Sequence, residues 1–470
     1  MSDRSFPTGK GNFRYTDDQT SALKTFAQFL YDEYPRCVMI LRGSAGTGKT
    51  TLAAHIVKYL RTHHHKMVLL APTGRAAKVF ETYSSHSAFT IHRRIYRQKK
   101  AGEMFGAFSL APNNYSNTLF MVDESSMIGD DGMGDSLFGT GRLLDDLISF
   151  VYDGNDCRLL LIGDTAQLPP VGKTESPALS SDIIETYDLK VYEADLNEVV
   201  RQASSSGILY NATRIRDMIS RDAVTNLPKI RFKDFADVSM ISGSELIDSI
   251  SDSYYRVGTD ETIVVTRSNK RANRYNQGIR NMILGREEGI TGEDMLMIVK
   301  NNYFWTSEKD SPLSFLANGD RCVVQRVRNM RERYGFLFAD VTIYLPDYDD
   351  YEITATTLLT TLTSEAPALT REQNETLYQA VMADFEGKRK PEKLRLLKEN
   401  EYYNALQIKF AYAVTCHKAQ GGQWEHVYID QGYMTEEMLT PDYAHWLYTA
   451  ITRAKTHVFF VNWNPNQTEK

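Results

Sequence analysis

The stretch Arg42-Gly43-Ser44-Ala45-Gly46-Thr47-Gly48-Lys49-Thr50 decides the fold class. It follows an apolar, strand-like run from Cys37 to Leu41 and opens a helix-like run from Thr51 to Leu60. Strand, GxxxxGKT loop and helix in that order form a phosphate-binding P-loop unit. The glycines let the backbone turn back, so that several N–H groups from Gly43, Ser44, Ala45, Gly46, Thr47 and Gly48 face one anion. The helix that follows adds the positive end of its dipole. Lys49 supplies a point charge for the β- and γ-phosphates, and Thr50 a hydroxyl for Mg2+. The unit therefore predicts a nucleoside triphosphate with Mg2+.

A second apolar run, Thr118 to Val122, ends in Asp123-Glu124-Ser125-Ser126. Behind a P-loop, two carboxylates that close a strand divide the work: one holds Mg2+ and the other activates the attacking water. Asp123 is the predicted metal ligand and Glu124 the predicted general base. A third run, Arg158 to Ile162, ends in Gly163-Asp164-Thr165-Ala166-Gln167-Leu168-Pro169-Pro170. Parallel α/β sheets bind ligands beyond the carboxyl ends of their strands, so Gln167 is expected to reach a γ-phosphate or a water.

Bulk properties narrow the class. At 470 residues the chain is too long for one core. Hydrophobic residues at 42% and charged residues at 24% fit a globular protein with ordinary cores. The net charge of −6 means that any nucleic-acid site is a local basic surface on an acidic body. The cysteines Cys37, Cys157, Cys322 and Cys416 form no CxxC pair, which predicts buried thiols in a reducing compartment. The polar run Met1 to Tyr15 and the absence of a long apolar segment predict no membrane span and a cytoplasmic location. His63, His64 and His65 close the P-loop helix. They read as a helix C-terminus rather than a metal cluster, because adjacent residues do not share a helix face.

The motifs that follow are more specific than the P-loop alone. APTGRAAK (Ala71 to Lys78), TIHR (Thr90 to Arg93), VDESSM (Val122 to Met127), GDTAQLPPVG (Gly163 to Gly172), EVVRQ (Glu198 to Gln202), AVTCHKAQGGQW (Ala413 to Trp424) and YTAITRAK (Tyr448 to Lys455) occur in this order. Together they resemble the motifs of superfamily-one helicases, and in particular the RecD-like branch of small phage and bacterial 5′-to-3′ DNA helicases. The resemblance spans residues 15 to 460 and is weak between about 206 and 260 and between 330 and 404. It implies ATP as the nucleotide, with Gln19 in Thr16-Asp17-Asp18-Gln19 reading adenine. It implies that Arg201 and Arg453 reach the γ-phosphate from a second RecA-like domain. It further implies that single-stranded DNA crosses both domains, meeting Pro72, Thr73 and His92 in the first and Thr415 and His417 in the second. The 5′-to-3′ direction rests wholly on this resemblance. So does the expectation of a monomer acting on single strands and single-strand/duplex junctions.

The expected fold class is α/β, with two RecA-like P-loop NTPase domains. The first spans 1–200, with strands near 37–42, 67–71, 118–122 and 157–162 and helices between them, the alternation of a parallel sheet. The second spans 201–470, with strands at Thr262 to Val265, Phe410 to Val414, His426 to Asp430 and His457 to Asn462. Between 312 and 404 the β-rich runs Arg321 to Val327, Phe336 to Tyr344 and Tyr351 to Thr357 suggest a small barrel-like insert, followed by a charged helical stretch from Arg371 to Glu399. The family carries an SH3-like domain here, and Asn318-Gly319-Asp320 matches its opening motif.

Two stretches are locally basic. One holds Arg93, Arg94, Arg97, Lys99 and Lys100; the other holds Arg267, Lys270, Arg271, Arg274 and Arg280. Such charges give sequence-independent affinity for a nucleic-acid backbone. Thr266, Ser268 and Asn269 lie at an expected helix N-terminus, where phosphates bind readily. The insertion at 92–116 is expected to form a β-hairpin pin whose tip, Gly102 to Phe108, carries Phe105 and Phe108 as candidate wedges against a base pair. The phosphate-tracking motifs do not separate DNA from RNA, so an RNA helicase stays open at this point. So does a nucleotide-gated binding protein without unwinding activity.

Overall fold

The computed structural model describes residues 14–98, 108–131, 139–199, 205–221, 223, 226–306, 313, 315–435 and 438–469. Strands β1 (Cys37–Gly43), β2 (Lys66–Ala71) and β3 (Ala88–Thr90) precede a two-stranded antiparallel hairpin, β4 (Tyr96–Gln98) and β5 (Phe108–Leu110). β6 (Thr118–Val122), β7 (Arg158–Gly163) and β8 (Lys190–Leu196) follow. The six strands outside the hairpin form one parallel sheet in the order β3-β2-β6-β7-β1-β8. Its centre is apolar on both faces, as a parallel sheet covered by helices requires: Val38 to Leu41, Leu119 to Val122 and Leu159 to Ile162 are buried. The carboxyl ends of β1, β6 and β7 lie side by side, which gathers the P-loop, Asp123-Glu124 and the Asp164 loop at one edge.

The second sheet contains β9 (Val238–Ile241) and β10 (Thr262–Thr266). The chain then builds a closed five-stranded barrel from β11 (Met295–Ile298), β12 (Arg321–Arg333), β13 (Phe336–Leu345), β14 (Tyr351–Leu358) and β15 (Leu406–Phe410). It returns with β16 (Ala413–Thr415), β17 (Trp424–Asp430) and β18 (Ala454–Val461) to complete a parallel sheet in the order β16-β10-β17-β18-β9. The α/β class with two parallel sheets, a hairpin and a barrel is therefore what forms. The helices Arg371–Ala383 and Lys390–Lys398 pack Leu377, Val381 and Leu397 onto barrel residues Phe336 and Phe338.

The apolar run Phe410 to Val414 is not one strand. It splits at Ala411-Tyr412 into the end of barrel strand β15 and the start of sheet strand β16. Both destinations are buried, so apolar character alone does not mark the break. Four further strands, β3, β8, β9 and β11, have no counterpart in the sequence reading. β3, β8 and β9 lie at sheet edges, with β8 burying little beyond Ala194 and Leu196, and β11 is a four-residue barrel strand that precedes the expected 312–404 insert.

Arg280, grouped above with a basic surface run, is instead buried. Its guanidinium makes two bonds to Asp294, Nε to Oδ1 at 3.0 Å and Nη2 to Oδ2 at 2.9 Å. Arg286 and the Tyr412 hydroxyl add further bonds to the same carboxylate. The pair joins the helical turn Ile279–Ile283 to the start of the barrel. Asp294→Ala would leave Arg280 buried without its charge partner, at a cost of roughly 3–5 kcal/mol. A clearly lower thermal midpoint of the full chain is the expected result; an unchanged midpoint would mean that the site accommodates a lone arginine.

Candidate nucleotide site and strand-facing surface

The P-loop turns through two left-handed glycines, Gly46 at φ +78° and Gly48 at φ +81°. Gly48 caps the helix Lys49–Thr62, with Thr50 exposed on its first turn. At Gly43 the reason for glycine is space. A Cβ there would sit 2.8 Å from Thr47 Oγ1 and 2.9 Å from Lys49 Cγ. Thr47 is buried and donates its hydroxyl to the Ser44 carbonyl at 2.8 Å. Lys49 Nζ donates to the same carbonyl at 3.1 Å and stands 3.7 Å from Asp164 Oδ2.

Gln19 serves the loop from below. Its backbone N–H and side-chain oxygen form a capping box with Thr16, and its Nε2 donates to the Thr47 carbonyl at 3.0 Å. The carboxamide is buried, so it is tied to P-loop geometry as well as to the first helix.

Asp123 and Glu124 project from the end of β6. Asp123 Oδ1 accepts the Glu124 N–H at 2.8 Å, and Oδ2 accepts the Tyr83 hydroxyl. Glu124 adopts a left-handed backbone at φ +52°, an uncommon state for a non-glycine residue. Burial raises the pKa of both carboxyls. Arg453 and Lys49 oppose the shift at Glu124, while Tyr83, the Glu124 amide and Lys49 oppose it at Asp123. Arg453 comes from the second domain, yet its Nη1 lies 4.0 Å from Glu124 Oε1. Its guanidinium is buried and held by the carbonyls of Thr449 and Gly422, each at 3.1 Å. Gln167 is also buried, and its Oε1 has no hydrogen-bond partner. A buried acceptor without a partner, in the turn that follows Asp164, is free to meet a ligand at this edge of the sheet. Arg201 lies outside the described residues.

Three second-domain residues that meet the P-loop are not among the site residues the sequence points to. Arg216, on the helix Gly207–Ser220, donates Nη1 to Ser44 Oγ at 2.7 Å. Leu209 of the same helix packs against Gly46. Tyr448, on the helix Pro441–Ile451, accepts the Ala45 N–H at 2.8 Å. Tyr448 stands inside a quoted motif, whereas Arg216 and Leu209 lie in a stretch without one.

The strand-facing candidates divide. Thr73 caps the helix Gly74–Ser84 through the Ala76 N–H at 3.2 Å. Pro72 precedes it, and Gly421 of the second domain approaches Thr73 Oγ1 so closely that a Cβ there would lie 3.1 Å away. His92 sits on the short helix Ile91–Ile95 against Tyr96 and Phe315, and burial pushes its pKa down to about 4. It is therefore neutral near pH 7, suited to stacking or a neutral hydrogen bond rather than to phosphate charge. Thr415 occupies an N-cap position without making the cap bond, and His417 beside it is exposed. Ser268 caps the helix Asn269–Gly278. Thr266 is fully buried with its hydroxyl on the Ser268 carbonyl at 3.0 Å, beneath the surface rather than on it.

Of the basic stretches, Arg93, Arg97, Arg267, Lys270 and Arg274 are exposed, while Arg94 lies over the Phe89 ring and bonds Tyr115. Lys99, Lys100 and Phe105 lie outside the described residues. Phe108 is not at the hairpin tip. It is the first residue of β5, paired with Gln98, and packs buried against Tyr303 with ring centroids 4.6 Å apart.

Comparison with known proteins adds a second line. Residues 14–229 match the AAA domain family, and residues 410–461 match the UvrD-like helicase C-terminal domain family. The ATP-dependent RecD2 DNA helicase of Deinococcus radiodurans is 34% identical over 134 residues, which are 28% of this chain and 16% of that protein. The ATP-dependent DNA helicase dda of Enterobacteria phage T4 is 28% identical over 269 residues, 55% of each chain. The chain thus spans less than two thirds of either relative. A Pif1 helicase from Bacteroides, solved with ADP-AlF3 and single-stranded DNA, aligns over 98% of this chain and 95% of its own, at 13% identity and a TM-score of 0.48.

Proposed function

We propose, from the premise that the chain belongs to the RecD-like branch of superfamily-one helicases, that it is an ATP-dependent DNA helicase moving 5′ to 3′ on single strands. The observation that carries the ATP-driven part of this reading is the approach of Arg453 to Glu124 across two separate parallel-sheet domains, while the direction rests on the resemblance. A hydrolytic site shared in this way works only when the domains close, which links turnover to domain motion. A binding switch without turnover has no need of a paired base and arginine.

ATP with Mg2+ supplies the phosphoanhydride bond whose cleavage drives the cycle. The chain's own groups have separable tasks in this proposal. The loop Gly43 to Thr50 presents its remaining backbone donors, the Ala45 N–H being taken by Tyr448, and Lys49 adds charge on the phosphates. Thr50 and Asp123 are the ligands for the cation, and Gln19 fixes the base end while bracing Thr47. Glu124 accepts a proton from water, Gln167 orients that water through its unpartnered oxygen, and Arg453 stabilises charge developing on the γ-phosphate. Arg201 joins as the second arginine. Pro72, Thr73, His92, Thr415 and His417 line the strand path, with Ser268 and Asn269 at a helix N-terminus beside it. Phe105 is the candidate wedge of the pin, with Phe108 anchoring the hairpin base. Among the described residues no helix is long and apolar enough to cross a membrane. A cytoplasmic monomer acting at single-strand/duplex junctions is the form this reading takes.

Duplexes with a 5′ or a 3′ single-stranded tail test the proposal. ATP-dependent opening of the 5′-tailed duplex, with little of the 3′-tailed one, is expected. Opening of only the 3′-tailed substrate would overturn the direction, and ATP turnover unaffected by single strands would overturn the motor itself.

A further inference from the structure

Three consecutive P-loop residues are each met by a side chain of the second domain: Ser44 by Arg216, Ala45 by Tyr448 and Gly46 by Leu209. Tyr448 is distinguished by a second bond. Its hydroxyl accepts the Ala45 N–H at 2.8 Å and donates to Asp164 Oδ2 at 2.6 Å. A phenol has one proton to give and lone pairs to accept with. Here it gives to one element of the first domain and accepts from another.

The surrounding helix extends this grip. His445, Tyr448 and Thr449 stand at spacing i, i+3 and i+4 on the helix Pro441–Ile451, hence on one face. All three meet the loop from Asp164 to Leu168. His445 Nδ1 lies 3.0 Å from the Ala166 carbonyl and 3.2 Å from that of Gln167. Both are acceptors, so the ring carries a proton on Nδ1. Thr449 Oγ1 accepts the Leu168 N–H at 2.8 Å, and Gln420 Nε2 donates to the Leu168 carbonyl at 2.7 Å. The main chain of Ala166, Gln167 and Leu168 is thus held from outside its own domain. Arg453 is indexed on the same turn, because its Nε donates to the Thr449 carbonyl at 3.1 Å.

We propose that Tyr448 is a positioning residue that locks the P-loop lip to the Asp164–Leu168 loop, so that one helix face sets Gln167 and Arg453 together. The inference rests on the hydrolytic reading of the site given above. It assigns Tyr448 no contact with the reacting atoms. Its hydroxyl fixes where the second domain sits on the first, and the groups that act on phosphate are carried with it.

Tyr448→Phe tests this, since it keeps the ring and its packing and removes both bonds. ATP turnover at saturating single-stranded DNA should fall by about 10-fold or more, the scale of losing a bond to a charged partner. Equilibrium binding of a non-hydrolysable ATP analogue, read by fluorescence, should not weaken. Combining Tyr448→Phe with Asp164→Asn should give a deficit smaller than the two single deficits taken together, because the singles share the Tyr448–Asp164 bond. Additive deficits, or equal loss of analogue binding and of turnover, would overturn the inference and leave Tyr448 a packing residue. A wild-type protein whose ATP turnover ignores single strands would instead overturn the hydrolytic reading, so the two failures are distinct.

Discussion

Replacing Arg453 by alanine should lower strand-stimulated ATP turnover by about 10³-fold or more, with ATP binding nearly unchanged. The guanidinium is already organised for its task. Nε is committed to the Thr449 carbonyl, Nη1 to that of Gly422 and Nη2 to the Thr452 hydroxyl at 3.3 Å. These bonds fix the plane of the fork, and Nη1 also faces Glu124 at 4.0 Å. A preorganised donor costs no reorganisation when charge develops, which is why its removal falls on kcat rather than on ground-state binding. Arg453→Lys should not rescue turnover, because an ammonium cannot reproduce the fork held by those acceptors. Steady-state turnover with saturating single strands, alongside equilibrium ATP binding, checks this. A loss of less than tenfold would remove Arg453 from the hydrolytic set. A parallel thermal melt separates that outcome from misfolding, since truncation also strips partners from two buried carbonyls.

The division between what the sequence made legible and what it did not follows contact distance along the chain. The P-loop, Asp123-Glu124 and the Gln167 loop are local patterns. Each is an apolar strand followed by a short polar run, and a parallel sheet brings strand ends together without further information. Arg216 and Tyr448 touch the P-loop from 172 and 403 residues away, and nothing near either residue encodes its partner. Charge runs misled for a related reason. Arg280 sits among exposed arginines in sequence, yet the partner that buries it, Asp294, lies 14 residues on, at the first turn into the barrel. Phe108 closes the run Gly102 to Phe108 expected at the tip, whereas pairing with Gln98 puts it in the strand. The Phe410 to Val414 run was legible as β but not as two strands, since the barrel and the second sheet bury it equally.

Lys49→Ala is the harsher change, and both turnover and ATP binding should fall to background. Lys49 is more than a phosphate contact. Asp123, Glu124 and Asp164 crowd one edge of the first sheet, and Lys49 Nζ stands 3.7 Å from Asp164 while lowering the pKa of both Asp123 and Glu124. Burial already drives both of those carboxyls toward the protonated form. Without the lysine, Arg453 is left to oppose that drive at Glu124, while Asp123 keeps the Tyr83 and Glu124-amide bonds that oppose it there. Asp123 toward Mg2+ and Glu124 toward water both act in the ionised form, which the lysine favours. The substitution therefore removes phosphate charge and a group that favours the ionised form of both Asp123 and Glu124, whereas Arg453→Ala leaves the lysine in place. Lys49→Arg should fail as well. A planar guanidinium fork is not equivalent to the compact ammonium that meets the β- and γ-phosphates as a point charge. Calorimetric ATP titration and turnover measured on the same preparations make the comparison. Turnover surviving in Lys49→Ala would mean that the strand–loop–helix unit is not where ATP is consumed. Binding lost in Lys49→Ala but kept in Arg453→Ala would assign recognition to the first domain and timing to the second.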